Sequence, residues 1–235
     1  VVVFVLVDRL RPTTWTMKFV ALGWGGAVAT LVSLYVNTWM SSLINIQGAG
    51  DPTSAARAAI FVAPFVEESA KATVLFLLAI FVRYRIVSVL QTVTLAGLSA
   101  AGFAFTENIL YYTRPFIYAS KIVGVDPEAA RMEYVVSRGL QTSFGHPLFT
   151  ILTALGLAVA LTNRSKLVRV VAPLAGFLFA VSGHMAFNGM ASVGAPTTVL
   201  TVSGWLAMLT LTLTLVRRYL AERKLIAARL DDYVH

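Results

Sequence analysis

Long apolar runs alternate with short polar breaks along the whole chain. Six runs are long enough to cross a bilayer as helices, at roughly 19–45, 55–82, 86–112, 136–162, 167–189 and 196–216. Residues 1–7 are apolar but too short to span, and read as the end of a truncated helix leading into a cytoplasmic loop that ends near residue 18. Open strands cannot sit in lipid. The expectation is therefore an all-α, polytopic transmembrane bundle with six full spans plus a truncated N-terminal one. It forms one integral-membrane domain over residues 1–235, closed by a basic cytoplasmic tail at 217–235. No internal repeat, low-complexity linker or cleavable signal-peptide pattern interrupts this plan. The chain begins with Val, which suggests a processed or trimmed start.

The departures from the apolar pattern carry the chemistry. Glu67 and Glu68 interrupt AAIFVAPFVEESAKATVLFLLAIFV, with Lys71 one turn on. Glu107 ends LAGLSAAGFAFTEN, His146 lies in FGHPLFTILTALGLAVA, and His184 lies in AGFLFAVSGHMAFN. An ionisable group in a bilayer costs several kcal/mol unless it is paired or wetted. A chain that bears this cost five times reads as one that has built a polar site in the membrane.

Composition narrows the classes. The chain is 57% hydrophobic and 13% charged, with mean hydropathy +0.76, which excludes a soluble domain of this size. With no cysteine, disulfides, thiolate nucleophiles and thiolate metal sites are excluded. The net charge of +8 is mostly a topology signal. Of the 19 Lys and Arg, 13 fall in one alternating set of segments and 5 in the other, with Lys71 inside a span. The rich side should be cytoplasmic, and nucleic-acid binding is not needed to explain the charge. On this topology Glu67 lies roughly 15 Å below the outer end of its run. His146 has a similar depth, and Glu107 and His184 lie closer to the outer ends of theirs. All four fall in the outer half of the bilayer, although their helices alternate in direction. Scattered structural polar residues have no reason to share a half, whereas a single cavity open to the outside does.

Local patterns refine this. Asp51-Pro52 and Asp126-Pro127 each read as an N-cap followed by the first helical position. Pro64 has no N–H and should bend its helix, freeing the Ile60 carbonyl. Pro147 should do the same to Ser143, where His146 projects. Glu67 and Lys71 are at i,i+4 on one face, with Glu68 turned roughly 100° away. A base and an acid on adjacent residues suit hydrolysis, while the bland reading is a buried Glu–Lys pair gluing helices. Ala96, Gly97, Ala100, Ala101 and Ala104 form a small-residue stripe for close helix approach, delivering Glu107 and Asn108 at its end. Glu107 alone could simply be interfacial and wet. His184 and Asn188 share a face, with Gly183 opening space beside them. A lone His is usually a satisfied core residue; two, at one depth with three Glu, argue for a site. The tail RRYLAERKLIAARLDDY is a basic amphipathic stretch suited to an anionic inner leaflet.

Read in order, APFVEESAK, FAFTENILYY, GHPLFT and HMAFN resemble the motifs of the PrsW family of bacterial intramembrane proteases, which is related to the type II CAAX prenyl endopeptidases (CPBP group). The resemblance covers about residues 60–190. It implies an intramembrane endopeptidase of the bacterial plasma membrane. Carried over, Glu67 is the general base, Glu68 its acidic neighbour, and His184 with Asn188 the HxxxN pair that stabilises the oxyanion. The sequence departs from the CAAX branch at FxxxH, which here ends in Glu107, leaving His146 as the candidate water-activating histidine. The implied substrate is a single-pass, anti-sigma-factor-like membrane protein, which comes from the family and not from the residues.

Peptide hydrolysis needs an activated water, an oxyanion stabiliser and a proton donor. Glu67, Glu68, Glu107, His146, His184 and Asn188 can supply these, supported by Lys71 and Asn108. One mechanism is metal-independent and glutamate-type. The other is zinc-dependent, with Glu107, His146 and His184 as candidate ligands; no HExxH is present to decide. A proton-coupled transporter would use the same residue types, but such folds often show inverted repeats. A non-catalytic scaffold would not need the Glu67–Glu68 pair.

Overall fold

The structure, a computed structural model, describes residues 1–47 and 54–234, so the cap expected at Asp51-Pro52 lies outside the described residues. Every regular element among the described residues is helical. Helix α1 (Val2–Val7) precedes α2 (Trp15–Gly23), which passes through a π-helical turn at Trp24–Ala29 into α3 (Thr30–Gln47). Helix α4 (Ser54–Arg57) runs through a second π turn, Ala58–Val62, into α5 (Ala63–Phe81). Then come α6 (Val89–Ala119), α7 (Pro127–Tyr134) with a π stretch at Val135–Gln141, α8 (Gly145–Thr162), α9 (Lys166–Ser192) and α10 (Thr197–Val234).

The helix starts follow from short polar side chains that meet orphan N–H groups. Thr14 accepts from the Met17 amide, Asp126 from Glu128 and Ser165 from Val168. Ser88 and Gln91 form a reciprocal capping box at the start of α6. Five stretches are long and apolar enough to cross a membrane: Trp15–Ile44, Val89–Ala119, Pro127–Thr162, Lys166–Ser192 and Thr197–Leu230. Helix α5 has 19 residues, and Glu67, Glu68 and Lys71 set it apart from these five in composition. At 38 residues, α10 is roughly 57 Å long, so the basic segment expected as a separate tail continues the last helix. Arg9 donates to the Tyr219 hydroxyl at 2.7 Å, and Ser88 bonds to Glu222, which ties this extension to the α1 and α6 ends.

The two prolines act differently from a simple helix bend. Pro147 lies in the first turn of α8, after a break at residues 142–144. There its missing N–H would have had no intrahelical partner. Before Pro64, the Ala63 amide bonds to Ala58 in the π register. That leaves the Ala59 carbonyl without the Ala63 N–H, and Pro64 has no N–H to offer. The Ala59 carbonyl thus needs an outside donor, beside the Ile60 carbonyl that Pro64 itself leaves without its i−4 partner.

Helix α6 is the axis of the bundle. Leu90 through Ala100 are all buried, the polar Gln91, Thr92, Thr94 and Ser99 included, so this stretch is enclosed by protein on every side. Close approach is built from glycines. A methyl group on Gly25 would sit 1.8 Å from the Ser99 carbonyl oxygen, and one on Gly102 would sit 2.1 Å from that of Leu22. Within the predicted small-residue stripe, Ala96 and Ala100 are fully buried and Gly97 lies against the Phe4 ring. The α8–α9 pair is joined likewise: a methyl on Gly156 would lie 2.3 Å from the Ala172 oxygen, and one on Gly176 2.5 Å from that of Leu152. These contacts fix the offsets of the helices that carry Glu107, His146 and His184.

Gly25→Ala should therefore destabilise the protein by about 1–3 kcal/mol through overpacking against backbone. Gly23→Ala, where nothing lies within 4 Å of the added methyl, should be neutral or stabilising by about 0.5–1 kcal/mol. Thermal unfolding in detergent compares the two, and equal shifts would refute the packing argument.

Candidate active site

Six ionisable side chains from four helices meet in one place. Glu67, Glu68 and Lys71 come from α5, Glu107 from α6, His146 from α8 and His184 from α9. The centre of this cluster is Glu68, which is fully buried. It receives Lys71 Nζ at 2.5 Å, the Thr150 hydroxyl at 2.8 Å and His184 Nδ1 at 3.0 Å. The buried ion pair of Lys71 is thus with Glu68 at i,i+3, and not with Glu67 at i,i+4 as the sequence suggested. Both spacings are neighbours on a helix. The extra donors from α8 and α9 on Glu68 decide between them.

The partners of each imidazole assign its tautomer. Lys71 Nζ lies 3.0 Å from His146 Nδ1. An ammonium only donates, so Nδ1 accepts and Nε2 carries the proton. That Nε2–H points to Glu107 Oε2 at 2.9 Å. In His184 the Nδ1–H donates to Glu68 Oε1, which leaves Nε2 bare. Each histidine is therefore backed by a carboxylate and turns its unprotonated nitrogen the other way. Both unprotonated nitrogens also lie near one atom, Glu67 Oε2, at 4.0 Å from His146 Nδ1 and 3.9 Å from His184 Nε2. Glu67 is buried and its Oε2 has no hydrogen-bond partner. The two rings are 5.4 Å apart and nearly perpendicular. Phe149 stacks on His184, and its ring edge lies against Gly183. Phe103 packs on His146 and also lies under the Lys71 ammonium.

A small cavity of about 90 Å³ opens beside these groups, lined by Glu67, Glu107, Asn108, His146, His184 and Asn188 among others. Asn188 donates to the Ala59 carbonyl at 2.9 Å, the acceptor that the π turn and Pro64 leave free. Asn108 accepts from Arg138 Nε at 3.2 Å. In the sequence Arg138 counts only among the five charges of the Lys/Arg-poor side. It pairs with Glu107 at 2.5 Å and stacks on Tyr111 at 3.7 Å, holding the π stretch after α7 against α6. Thr150 and Asn37 were also missed. A hydroxyl or amide on an apolar run has no sequence signal beyond its polarity, and only their neighbours give them meaning.

The pattern of motifs agrees with this geometry. The description PrsW family intramembrane metalloprotease matches residues 13–216, a range that includes every side chain of the cluster. The chain belongs to the PrsW family of intramembrane metalloproteases. It is accordingly a multi-pass membrane protein and a peptide-bond hydrolase whose substrates are membrane proteins. Comparison with curated proteins and with solved structures finds no match. The PrsW residues present fit a metal ion. One ligand atom each from Glu67, His146 and His184 lies within 4.8 Å of the others, and two imidazole nitrogens with one carboxylate oxygen are a zinc-type donor set. The unpartnered Glu67 Oε2 is the atom such an ion would satisfy. Glu107, one of the sequence-based ligand candidates, lies on the opposite nitrogen of His146. There it orients the ring, as outer carboxylates do behind metal-binding histidines.

Lys71→Met should lower stability by about 3–5 kcal/mol, because it strands the Glu68 carboxylate without its cation. Thr150→Val, which removes one of three donors, should cost only about 1–3 kcal/mol. Denaturation of the purified variants ranks the two, and the reverse order would deny Lys71 its central role.

Proposed function

We propose that this chain cleaves a single-pass membrane protein at the cavity formed by Glu67, Glu107, His146, His184 and Asn188. The observation that carries the reading is the convergence of two unprotonated histidine nitrogens on the unpartnered oxygen of a buried glutamate. Glu67, His146 and His184 would hold a divalent ion, which when bound supplies a Lewis acid that favours hydroxide formation from water. The chain's own groups do the rest. Glu68 and Glu107 fix the two imidazoles and balance the positive charge that develops on them. With Oε2 given to the ion, the other oxygen of Glu67, Oε1, would be the one to take a proton from the attacking water. Asn188, on the cavity wall, can turn its amide from Ala59 to the oxyanion. Lys71 holds Glu68 in place, and Asn108 fixes Arg138 beside Glu107.

A second reading, without metal, is favoured by one contact: Lys71 donates to the same His146 Nδ1 that a metal would use. There Glu67 alone would take the proton. Elemental analysis of the purified protein separates the two. About one zinc per chain, lost in His146→Ala and His184→Ala, supports the first reading; full activity without metal supports the second.

In this reading the bundle has six spans with α5 as the second, after a truncated first helix, in one domain over residues 1–235. The Lys/Arg-rich ends face the cytoplasm of a bacterium, so the cavity lies in the outer half of the plasma membrane. A transmembrane substrate must unwind before its carbonyls can be attacked. Cleavage is therefore expected at or just below the outer face of an anti-sigma-factor-like protein. The charged turn of α7 is exposed, and in this reading it would lie beside the entrance and help hold the substrate.

Glu67→Gln should reduce proteolysis by a factor on the order of 10²–10⁴ while leaving the fold intact. Cleavage assays paired with thermal unfolding check this. Full activity in the variant would move the base elsewhere. Mass spectrometry of product termini tests the side of cleavage, and cuts clustered on the cytoplasmic side would contradict the proposed topology.

A further inference from the structure

A second cavity reaches Glu67 from another direction. Along α3, Thr30, Ser33, Asn37 and Ser41 recur every three or four positions and so share one face of the helix. That face lines a cavity of about 490 Å³ whose other walls include Ala59, Ala63, Glu67, Glu107 and Tyr111. The volume lies in the range of ligand sites, about 300–1,000 Å³.

Polar side chains in these helices mostly turn back on their own backbone. Thr38 donates to the Leu34 carbonyl at 2.7 Å, Ser42 to Trp39 at 2.6 Å and Ser69 to Phe65 at 2.7 Å. Two residues on the cavity face do not. Ser33 is 2% exposed, yet its hydroxyl has no partner. Asn37 donates to Glu67 Oε1 at 3.4 Å, while its carbonyl oxygen is buried and unpaired. A buried polar group is normally satisfied. Here a hydroxyl and an amide oxygen are presented unmet along a groove that ends at the Glu67 carboxylate.

We propose that this face of α3 binds the unwound backbone of the substrate. The inference rests on the protease reading of the Glu67 site. Asn37 Oδ1 accepts a backbone N–H of the bound segment, and the Ser33 hydroxyl pairs with a neighbouring peptide group. From Ser33 to Ser41 is roughly 12 Å along the helix, the length of about four residues of extended chain. Ala58, Ala59 and Ala63 on the facing wall are small enough to let a backbone approach. The ligand class is an extended peptide of about four residues, leading from an apolar span into the hydrolytic centre.

The chain has no cysteine, so Ser41→Cys creates a unique thiol in the groove. In a Glu67→Gln background, the full chain in micelles is mixed with a synthetic single-span peptide carrying a bromoacetyl group in a Gly/Ser-rich juxtamembrane segment. The expected result is a covalent adduct at position 41, reduced at least tenfold by adding Asn37→Ala or Ser33→Ala, with unchanged thermal unfolding. Labelling by a small water-soluble thiol reagent but not by the peptide would show a water channel and overturn the proposal. So would an adduct unaffected by either variant. Catalysis plays no part in this readout. If the peptide is captured as expected but the chain with Glu67 intact never cleaves it, the protease reading fails while the groove stands.

Discussion

The buried contact between Lys71 and Glu68 is the one on which the site depends. A bilayer interior offers no water to compensate a charge, so each ion must find its partner within the protein. Lys71 and Glu68 do so within one helix at 2.5 Å. Glu68 then has lone pairs left, and these draw in Thr150 of α8 and His184 of α9. Lys71 has protons left, and one goes to His146 of α8. One local pair thus recruits two further helices. Apolar residues of similar volume often pack as well as a buried ion pair or better, but they would not orient two imidazoles.

That orientation is where packing turns into chemistry. Carboxylates behind the histidines leave an unprotonated nitrogen on each, and both lie within 4.0 Å of Glu67 Oε2. The glutamate itself is deprived of partners, with only a long contact to Asn37. The site therefore divides its carboxylates by environment: Glu68 and Glu107 each meet several donors, whereas Glu67 Oε2 meets none. Adjacent residues on one helix gain opposite roles because roughly 100° of rotation sends one into the protein and the other to the cavity.

The irregular backbone serves the same end. The π turn at Ala58–Val62 and the missing N–H of Pro64 together release the Ala59 carbonyl, which Asn188 meets across the helix interface. The break before α8 places His146 in a first helical turn, where Pro147 costs no hydrogen bond. Non-helical backbone inside a membrane is tolerated only where it lines a cavity or is buried in protein, and both irregularities border the cavity.

The order of apolar runs, the all-helical class and the presence of a polar membrane site were legible in the sequence, because lipid imposes strict rules on length, hydrogen bonding and charge. So were Glu67, Glu68, Glu107, His146, His184 and Asn188, since an ionisable residue or amide in an apolar run stands out against those rules. Spacing alone did not say which glutamate takes Lys71, as i,i+3 and i,i+4 both bring side chains together; donors from α8 and α9 chose Glu68. Nor could it reveal that Arg138 crosses to Glu107, that Thr150 completes the shell of Glu68, or that Ser33 and Asn37 face a cavity. Those facts depend on the offsets between helices, set by contacts such as Gly25 on Ser99 and Gly156 on Ala172. Tautomers and roles follow from distances across those interfaces, and a one-dimensional pattern contains no such distances.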